Sequence, residues 1–422
     1  MRMVLDQVLR RFVVLGRLTV RWPDGSVRTY GGAPGPEAVI ELRDARTVAR
    51  LAFNPSLAVG ECYMDGGLVP VDCPIYDVLD VLMTNLMAEK SGKPIVQARD
   101  AIRLVTRRIN QFNPASRSRR NVAHHYDLNG RLYSLFLDRD RQYSCAYFPR
   151  GDETLEEAQV AKKRHIAAKL KLDRPDLSVL DIGCGWGGLA LTLARDYGAR
   201  VTGITLSTEQ LAEAQARAQA EGLADRVTFE LMDYRSMHRS FDRIVSVGMF
   251  EHVGVGHYRQ FFDTLKRCLH PDGVALLHAI GRNDRPGSTN AWIAKYIFPG
   301  GYCPALSEVF PPIERAGLIT TDVEILRLHY AETLRHWRRR FIANRDTITS
   351  LYDEYFCRMF EFYLCGAEIA FRREGHMVFQ IQLAHRQTAV PLTRDYVTEA
   401  DVAARAQPAP ATRTTVPNQS AG

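Results

Sequence analysis

The sequence predicts an α/β chain: a doubly wound sheet with a nucleotide-type site, preceded by a small α+β unit. Three observations carry that reading. Residues 178–188, SVLDIGCGWGG, set a short apolar run ahead of four glycines. Val179, Leu180 and Ile182 suit a buried strand. Gly183, Gly185, Gly187 and Gly188 let the backbone turn tightly and approach a ligand with no Cβ in the way. LALTLARDYG then continues at helical spacing, so the stretch reads strand, glycine turn, helix. Further strand patterns alternate with helices after it, the mark of a doubly wound sheet. The first 85 residues carry hairpin and helix signals of their own.

Taken in order, LGRLTVRWPDGSVRTYGG reads as two strands around a Pro-Asp-Gly turn, and AVIELRD as a third. ARTVARLAF is a helix that stops at Asn54-Pro55. A second short helix follows, and another begins after Pro74. These residues form a small N-terminal domain, 1–90. Residues 91–120 form a basic linker, with seven arginines and one acid between Arg99 and Arg120. It is either a solvated helix face or a surface for anionic headgroups, where each arginine is worth about 1 kcal/mol. The catalytic domain spans 121–395. Its helix TLEEAQVAKKRHIAAKLKL precedes strands SVLDIG, ARVTGITL, RVTFELMD, FDRIVSVGMF and GVALLHAIG. The helix STEQLAEAQARAQAEG has Ser207 or Thr208 as N-cap and Gly222 as its stop. Residues 326–372 are helical, HMVFQIQLAH is a late strand, and 396–422 is a tail expected to be disordered.

The chain of 422 residues is 46% hydrophobic, enough for a sizeable core, and its net charge of +7 suggests an anionic partner. Its eight cysteines form no CxxC pair and no metal-ligand spacing, which reads as reduced thiols in a cytoplasmic protein. No run is long enough to span a bilayer. MRMVLDQVLRRF lacks the long apolar region of a signal peptide. Adjacent side chains in His124-His125-Tyr126-Asp127 diverge, so no metal site is expected there.

Ligands of such sheets sit at the carboxyl ends of the strands. Asp181 and the glycine turn, with Cys184, follow the first strand. Thr205, Leu206 and Ser207 follow the second, with Gln210 nearby, and can meet ribose hydroxyls. Asp233, Tyr234 and Arg235 follow the third, beside an adenine ring, and Val247 ends the fourth. GCGWGG lacks the GxGxxG register of a dinucleotide site. It resembles the first motif of S-adenosylmethionine methyltransferases, although the second strand ends in GITLS where many of these carry an acid.

GCGWGG, GITLS, VGMFEHVG, QYSCAYF and YIFPGGYCPALSE together resemble the cyclopropane-fatty-acyl-phospholipid synthase family, which includes the mycolic-acid cyclopropane synthases. The likeness covers about residues 120–390 and, through FNPSLAVGECYMDG, extends more weakly to the N-terminal domain. It implies a Rossmann-like class I methyltransferase fold. It also implies that a cis double bond of a phospholipid acyl chain attacks the methyl sulfonium of S-adenosylmethionine. A carbocation forms, a proton leaves to bound bicarbonate, and the ring closes. The implied bicarbonate ligands are Cys145, Glu251, His278, Ile280 through its backbone, and Tyr330. Tyr143 and Ser144 match cofactor contacts. The segment HHYDL would lie beside the active site, although YDLNGRLY departs from the family's commoner YDLGNDFY.

The residues agree with that chemistry. An alkene is a weak nucleophile, so the site must exclude water and stabilise positive charge. Tyr143, Tyr147, Phe148, Phe250, Tyr302 and Tyr363 are candidate aromatic faces for a cation. Glu251 and His278 follow the fourth and fifth strands and so face the crevice. The implied partner is a phospholipid membrane surface, met peripherally at its inner face. A homodimer is a further expectation. A related C-methyltransferase leaving a methyl or methylene branch is the alternative activity. No RNA-binding module or target-base motif supports a nucleic-acid substrate. RHWRRRF is either a headgroup patch or a solvated helix face.

Overall fold

The computed structural model describes residues 1–90 and 130–406. The basic linker, the HHYDL segment and residues 407–422 lie outside the described residues.

The N-terminal unit runs α1 (Arg2–Phe12), β1 (Leu15–Arg21), β2 (Val27–Gly31), β3 (Ala33–Leu42), α2 (Ala45–Phe53), α3 (Pro55–Met64), β4 (Leu68–Pro70) and α4 (Ile75–Lys90). Its sheet has the order β2-β1-β3-β4. The expected turn is present, with Gly25 at φ +81° and Arg21 paired to Val27. The Asp44 side chain caps α2 by accepting from the Thr47 N–H at 2.6 Å. Pro55 takes the first position of α3, where its missing N–H costs nothing.

The second unit runs α5 (Gly130–Phe136), α6 (Leu155–Lys169), β5 (Ser178–Ile182), α7 (Gly188–Tyr197), β6 (Arg200–Thr205), α8 (Thr208–Ala220), β7 (Val227–Leu231), β8 (Phe241–Val247), α9 (Tyr258–Cys268), β9 (Leu269–Arg282), α10 (Ala291–Tyr296), α11 (Leu306–Ala316), β10 (Ile319–Ile325), α12 (His329–Ala343), α13 (Arg345–Leu351), α14 (Glu354–Arg373), β11 (His376–Ala384) and α15 (Asp395–Ala406). Seven strands form one sheet in the order β10-β11-β9-β8-β5-β6-β7. The five from β9 to β7 are parallel, as expected of a doubly wound sheet. The other two correct a wholly parallel reading: β11 runs antiparallel to both β9 and β10. The sequence hid β10, because ITTDVEI alternates with polar residues and is only half-buried. β11 lies inside the sheet and is buried along nearly its whole length.

A second correction concerns the tail expected from residue 396. The chain continues as α15, which packs on α6, with Val397 buried and Asp401 bonded to His165 Nδ1 at 2.8 Å. A buried polar contact secures this helix, so its low apolar content concealed it.

The two units share α14. Cys365 and Ile369 belong to the N-terminal core, whereas Phe360, Leu364 and Phe371 belong to a cluster on the sheet unit. Tyr63 donates to Glu361 at 3.0 Å across this seam. RHWRRRF lies in α12, and its arginines are largely paired within the fold. Arg338 meets Glu368, Arg340 meets Glu156, and Arg335 meets Glu332. Arg339 is the exposed one.

Candidate active site

A cleft opens at the carboxyl ends of β5 to β8. Tyr143, Ser144, Asp181, Gly183, Cys184, Gly185, Thr205, Leu206, Gln210, Tyr234, Arg235 and Val247 all line it. Gly183, Gly185 and Gly187 have φ of +85°, +55° and +83°, the left-handed region that favours glycine. The N–H groups of Gly183 and Cys184 both bond Ile204 O, tying the turn to β6. Gly187, Gly188 and Ser207 shape the rim instead of lining it. A Cβ on Gly187 would lie 2.6 Å from the Phe229 ring, and one on Gly188 would strike Asp140 and Gln142. Ser207 Oγ accepts from the Gln210 N–H as the N-cap of α8. Thr205 Oγ1 donates to Gln210 Oε1 at 2.9 Å, so these three residues form one small network.

Asp181 sits at the cleft wall, 1% exposed, and its Oδ2 has no hydrogen-bond partner among the described residues. Burial pushes its carboxyl up to about 7. A donor group on a bound ligand would satisfy that oxygen, and the glycine turn leaves room for close approach. Both features fit S-adenosylmethionine.

Residues 138–144 form a strap along this cleft, and α6 grips it. Gln159 Nε2 donates to the carbonyls of Gln142 and Ser144, at 3.3 and 3.0 Å. Lys162 Nζ donates to Ser144 Oγ at 2.9 Å and to Gln142 Oε1. Lys163 pairs with Asp140 at 2.6 Å, and Arg217 of α8 reaches the same carboxylate. Positions 159, 162 and 163 share one helix face, which explains the grip. Burial lowers the Lys162 ammonium to about 8. The sequence reading missed Gln142, Lys162, Trp186 and His252. The first lies next to flagged residues, but the lysine looked like any charge on a helix.

The bicarbonate ligands that the family resemblance implies lie outside the residues that line this cleft. Glu251 sits in a 3₁₀ turn after β8, and its Oε1 accepts the Ile280 N–H at 2.6 Å. His278 lies on β9 opposite Val247, and its carbonyl accepts the Gly248 N–H. Glu251 Oε2 and His278 Nε2 are buried and have no hydrogen-bond partner among the described residues. Burial raises the Glu251 carboxyl to about 7 and pushes the His278 imidazole well below its ordinary value, so it is neutral. Cys145 and Tyr330 join one apolar cluster, with Ile280 packed against it. Burial drives the Cys145 thiol well above its ordinary value, so it is not a thiolate nucleophile. Ala146 N–H donates to Thr333 Oγ1, one turn beyond Tyr330, which ties the Cys145 segment to α12.

The candidate aromatic faces divide. Tyr143 stacks on Trp337, and its hydroxyl meets that of Tyr363 at 3.1 Å, in the same apolar cluster as Cys145 and Tyr330. Tyr147 stacks between His165 and His329, and Phe148 between His329 and His336. Phe250 stacks on Tyr258 in a separate core cluster, and Tyr302 donates to Glu308. Those two are packing residues.

Residues 114–381 match the family model described as mycolic acid cyclopropane synthetase, well over half of the chain. The chain belongs to this family. It is an S-adenosylmethionine-dependent methyltransferase of the cyclopropane synthase type, with the Rossmann-like class I sheet. Residues 4–89 match a separate domain of unknown function, DUF7884. The cyclopropane-fatty-acyl-phospholipid synthase of Escherichia coli (strain K12) is 40% identical over 354 residues, 83% of this chain and 88% of that protein. A probable fatty acid methyltransferase of Pseudomonas putida is 36% identical, covering 82% and 87%. The crystal structure of mycolic acid cyclopropane synthase CmaA1 complexed with SAH and CTAB aligns at TM-score 0.60 and 34% identity, over 65% of this chain and 99% of that one.

Proposed function

We propose that this enzyme is a cyclopropane-fatty-acyl-phospholipid synthase. It places a methylene from S-adenosylmethionine across the cis double bond of a phospholipid acyl chain, through a carbocation that loses a proton to bicarbonate. The observation that carries this reading is the pair of buried atoms Glu251 Oε2, in the turn after β8, and His278 Nε2, on the neighbouring β9, both without a hydrogen-bond partner among the described residues. Unpaired buried polar groups are costly, so such a pair marks a ligand site.

The residues suit a small anion. Glu251, its carboxyl raised to about 7, keeps a proton in a large share of molecules at neutral pH; one oxygen is held by the Ile280 N–H and the other is open to share that proton. A neutral His278 presents its second nitrogen to the same site, with no cationic charge to compete for the methyl proton. Cys145 and Tyr330 add a thiol and a phenol to its apolar wall. Bound bicarbonate would supply the base that these side chains do not. The Tyr143 and Tyr363 rings offer faces to positive charge and help keep water out.

The acyl chain comes from a bilayer, so we place the enzyme in the cytoplasm at the inner face of the membrane. Among the described residues no helix is long and apolar enough to cross one. The N-terminal unit serves docking or homodimer formation. Expression in a host rich in cis-unsaturated lipids, fed methyl-labelled methionine, tests the reading. Gas chromatography with mass spectrometry of the acyl methyl esters should show a saturated product one labelled methylene heavier, with a ring. A methyl or methylene branch would make it a C-methyltransferase. No mass gain from folded enzyme overturns both.

A further inference from the structure

Gln380 is the side chain behind His278. It lies on β11 directly opposite His278 of β9, in the antiparallel register Gln380↔His278. It is fully buried, and its Nε2 lies 3.1 Å from His278 Nδ1. We propose that Gln380 is a positioning residue for the reaction: its amide N–H donates to His278 Nδ1 and so keeps the imidazole proton on Nε2, facing the anion pocket. This rests on the reading of His278 as a ligand of the bound anion.

The argument is one of hydrogen-bond inventory. A neutral imidazole has one donor and one acceptor nitrogen, and whichever partner one nitrogen finds decides the role of the other. With the amide turned as the structure has it, its Nε2 toward the ring, Gln380 donates, His278 Nδ1 accepts and His278 Nε2 carries the proton. The amide Oε1 is itself buried without a hydrogen-bond partner among the described residues. His278 Nε2 is the buried ring nitrogen without a hydrogen-bond partner among the described residues. An N–H there suits an anion, whereas a lone pair would repel it. Burial keeps the ring neutral, and Lys162, Lys169 and His165 nearby push the same way. The tautomer and the orientation of the Gln380 amide are thus set together, at a contact that the sheet register fixes. Gln380 does not line the cofactor cleft, so its effect belongs to the pocket alone.

Nitrogen-15 NMR of histidine-labelled enzyme tests this without a variant. His278 Nδ1 should resonate as an unprotonated nitrogen and Nε2 as an N–H. A proton found on Nδ1 overturns the inference. Gln380→Met removes the donor while nearly keeping the volume. It should lower kcat about tenfold to a hundredfold, as loss of a ligand-orienting partner does, and leave the dissociation constant for S-adenosylhomocysteine unchanged. Gln380→Glu presents an acceptor instead and should move the proton to Nδ1, with a loss at least as large. A merely structural role would lower the melting temperature and leave the tautomer in place, and that result also overturns the inference. If Gln380→Glu moves the proton and kcat is untouched, Gln380 does set the tautomer, and the assignment of His278 to the anion is what fails.

Discussion

The cofactor cleft and the proposed anion site are built by opposite means. The cofactor cleft is made of consecutive strand ends and short turns, and its polar groups are mostly paired, through the strap, α6 and α8. The proposed anion site draws on Cys145, Glu251, His278 and Tyr330, which are spread over nearly 200 residues, and Glu251 Oε2 and His278 Nε2 are unpaired among the described residues. One half is a rigid cradle for a partner that many enzymes share. The other, as proposed, would offer buried polar atoms to a small anion. Cofactor affinity and turnover should therefore separate under mutation.

The largest separation is expected from Glu251→Gln. It keeps an acceptor for the Ile280 N–H but cannot share a proton as a carboxyl does. Turnover should fall about 10²- to 10⁴-fold, with S-adenosylhomocysteine affinity unchanged by calorimetry. An equal loss of affinity would merge the two halves into one. The converse comes from Lys162→Met, which removes the donor to Ser144 and Gln142. Cofactor affinity should drop about tenfold, one buried charged hydrogen bond's worth, and more than kcat does.

The glycine turn tests the cradle itself. Gly187→Ala meets the Phe229 ring at a left-handed φ and should cost about 1–3 kcal/mol in denaturant unfolding. The pH dependence of stability tests the pocket. The Glu251 carboxyl is raised from 4.5 to about 7 by burial. Its contribution to stability is thus fully present below about pH 4.5 and lost as pH rises through 7. Glu251→Gln lacks this loss, so it should gain on the wild type between pH 5 and pH 8, by up to about 3 kcal/mol. The smallest effect is at Arg338, paired with Glu368 at 3.0 Å. Arg338→Ala should cost about 1 kcal/mol and leave binding to anionic vesicles unchanged. A fall in vesicle binding would restore RHWRRRF as a headgroup patch.

The same contrast explains what the sequence disclosed. The cleft was legible because strand, turn and helix adjoin there, so GCGWGG, Thr205, Tyr234 and Val247 each follow a readable strand. Ser207 was legible as a helix cap, and the cap claims its oxygen. The pocket was not legible from spacing, since neither a cysteine in QYSCAYF nor a tyrosine in α12 announces a neighbour so far along the chain. Family resemblance supplied those residues. Gln380 and Lys162 escaped both routes. A glutamine in a strand and a lysine on a helix look like surface residues until register and burial are known. β10 and α15 were hidden for a related reason, as polar contacts secure them where an apolar stripe was sought.

The place of β11 has a consequence for how the chain comes into being. It is the last strand synthesised, yet it lies between β9 and β10. Until residue 376 has emerged, β9 has an open hydrogen-bonding edge while every glycine turn of the cradle is already made. Such an edge invites pairing with other chains. A growing polypeptide thus reaches cofactor competence before catalytic competence. A chain stopped at residue 375 should show this as retained cofactor binding, no turnover and a strong tendency to aggregate.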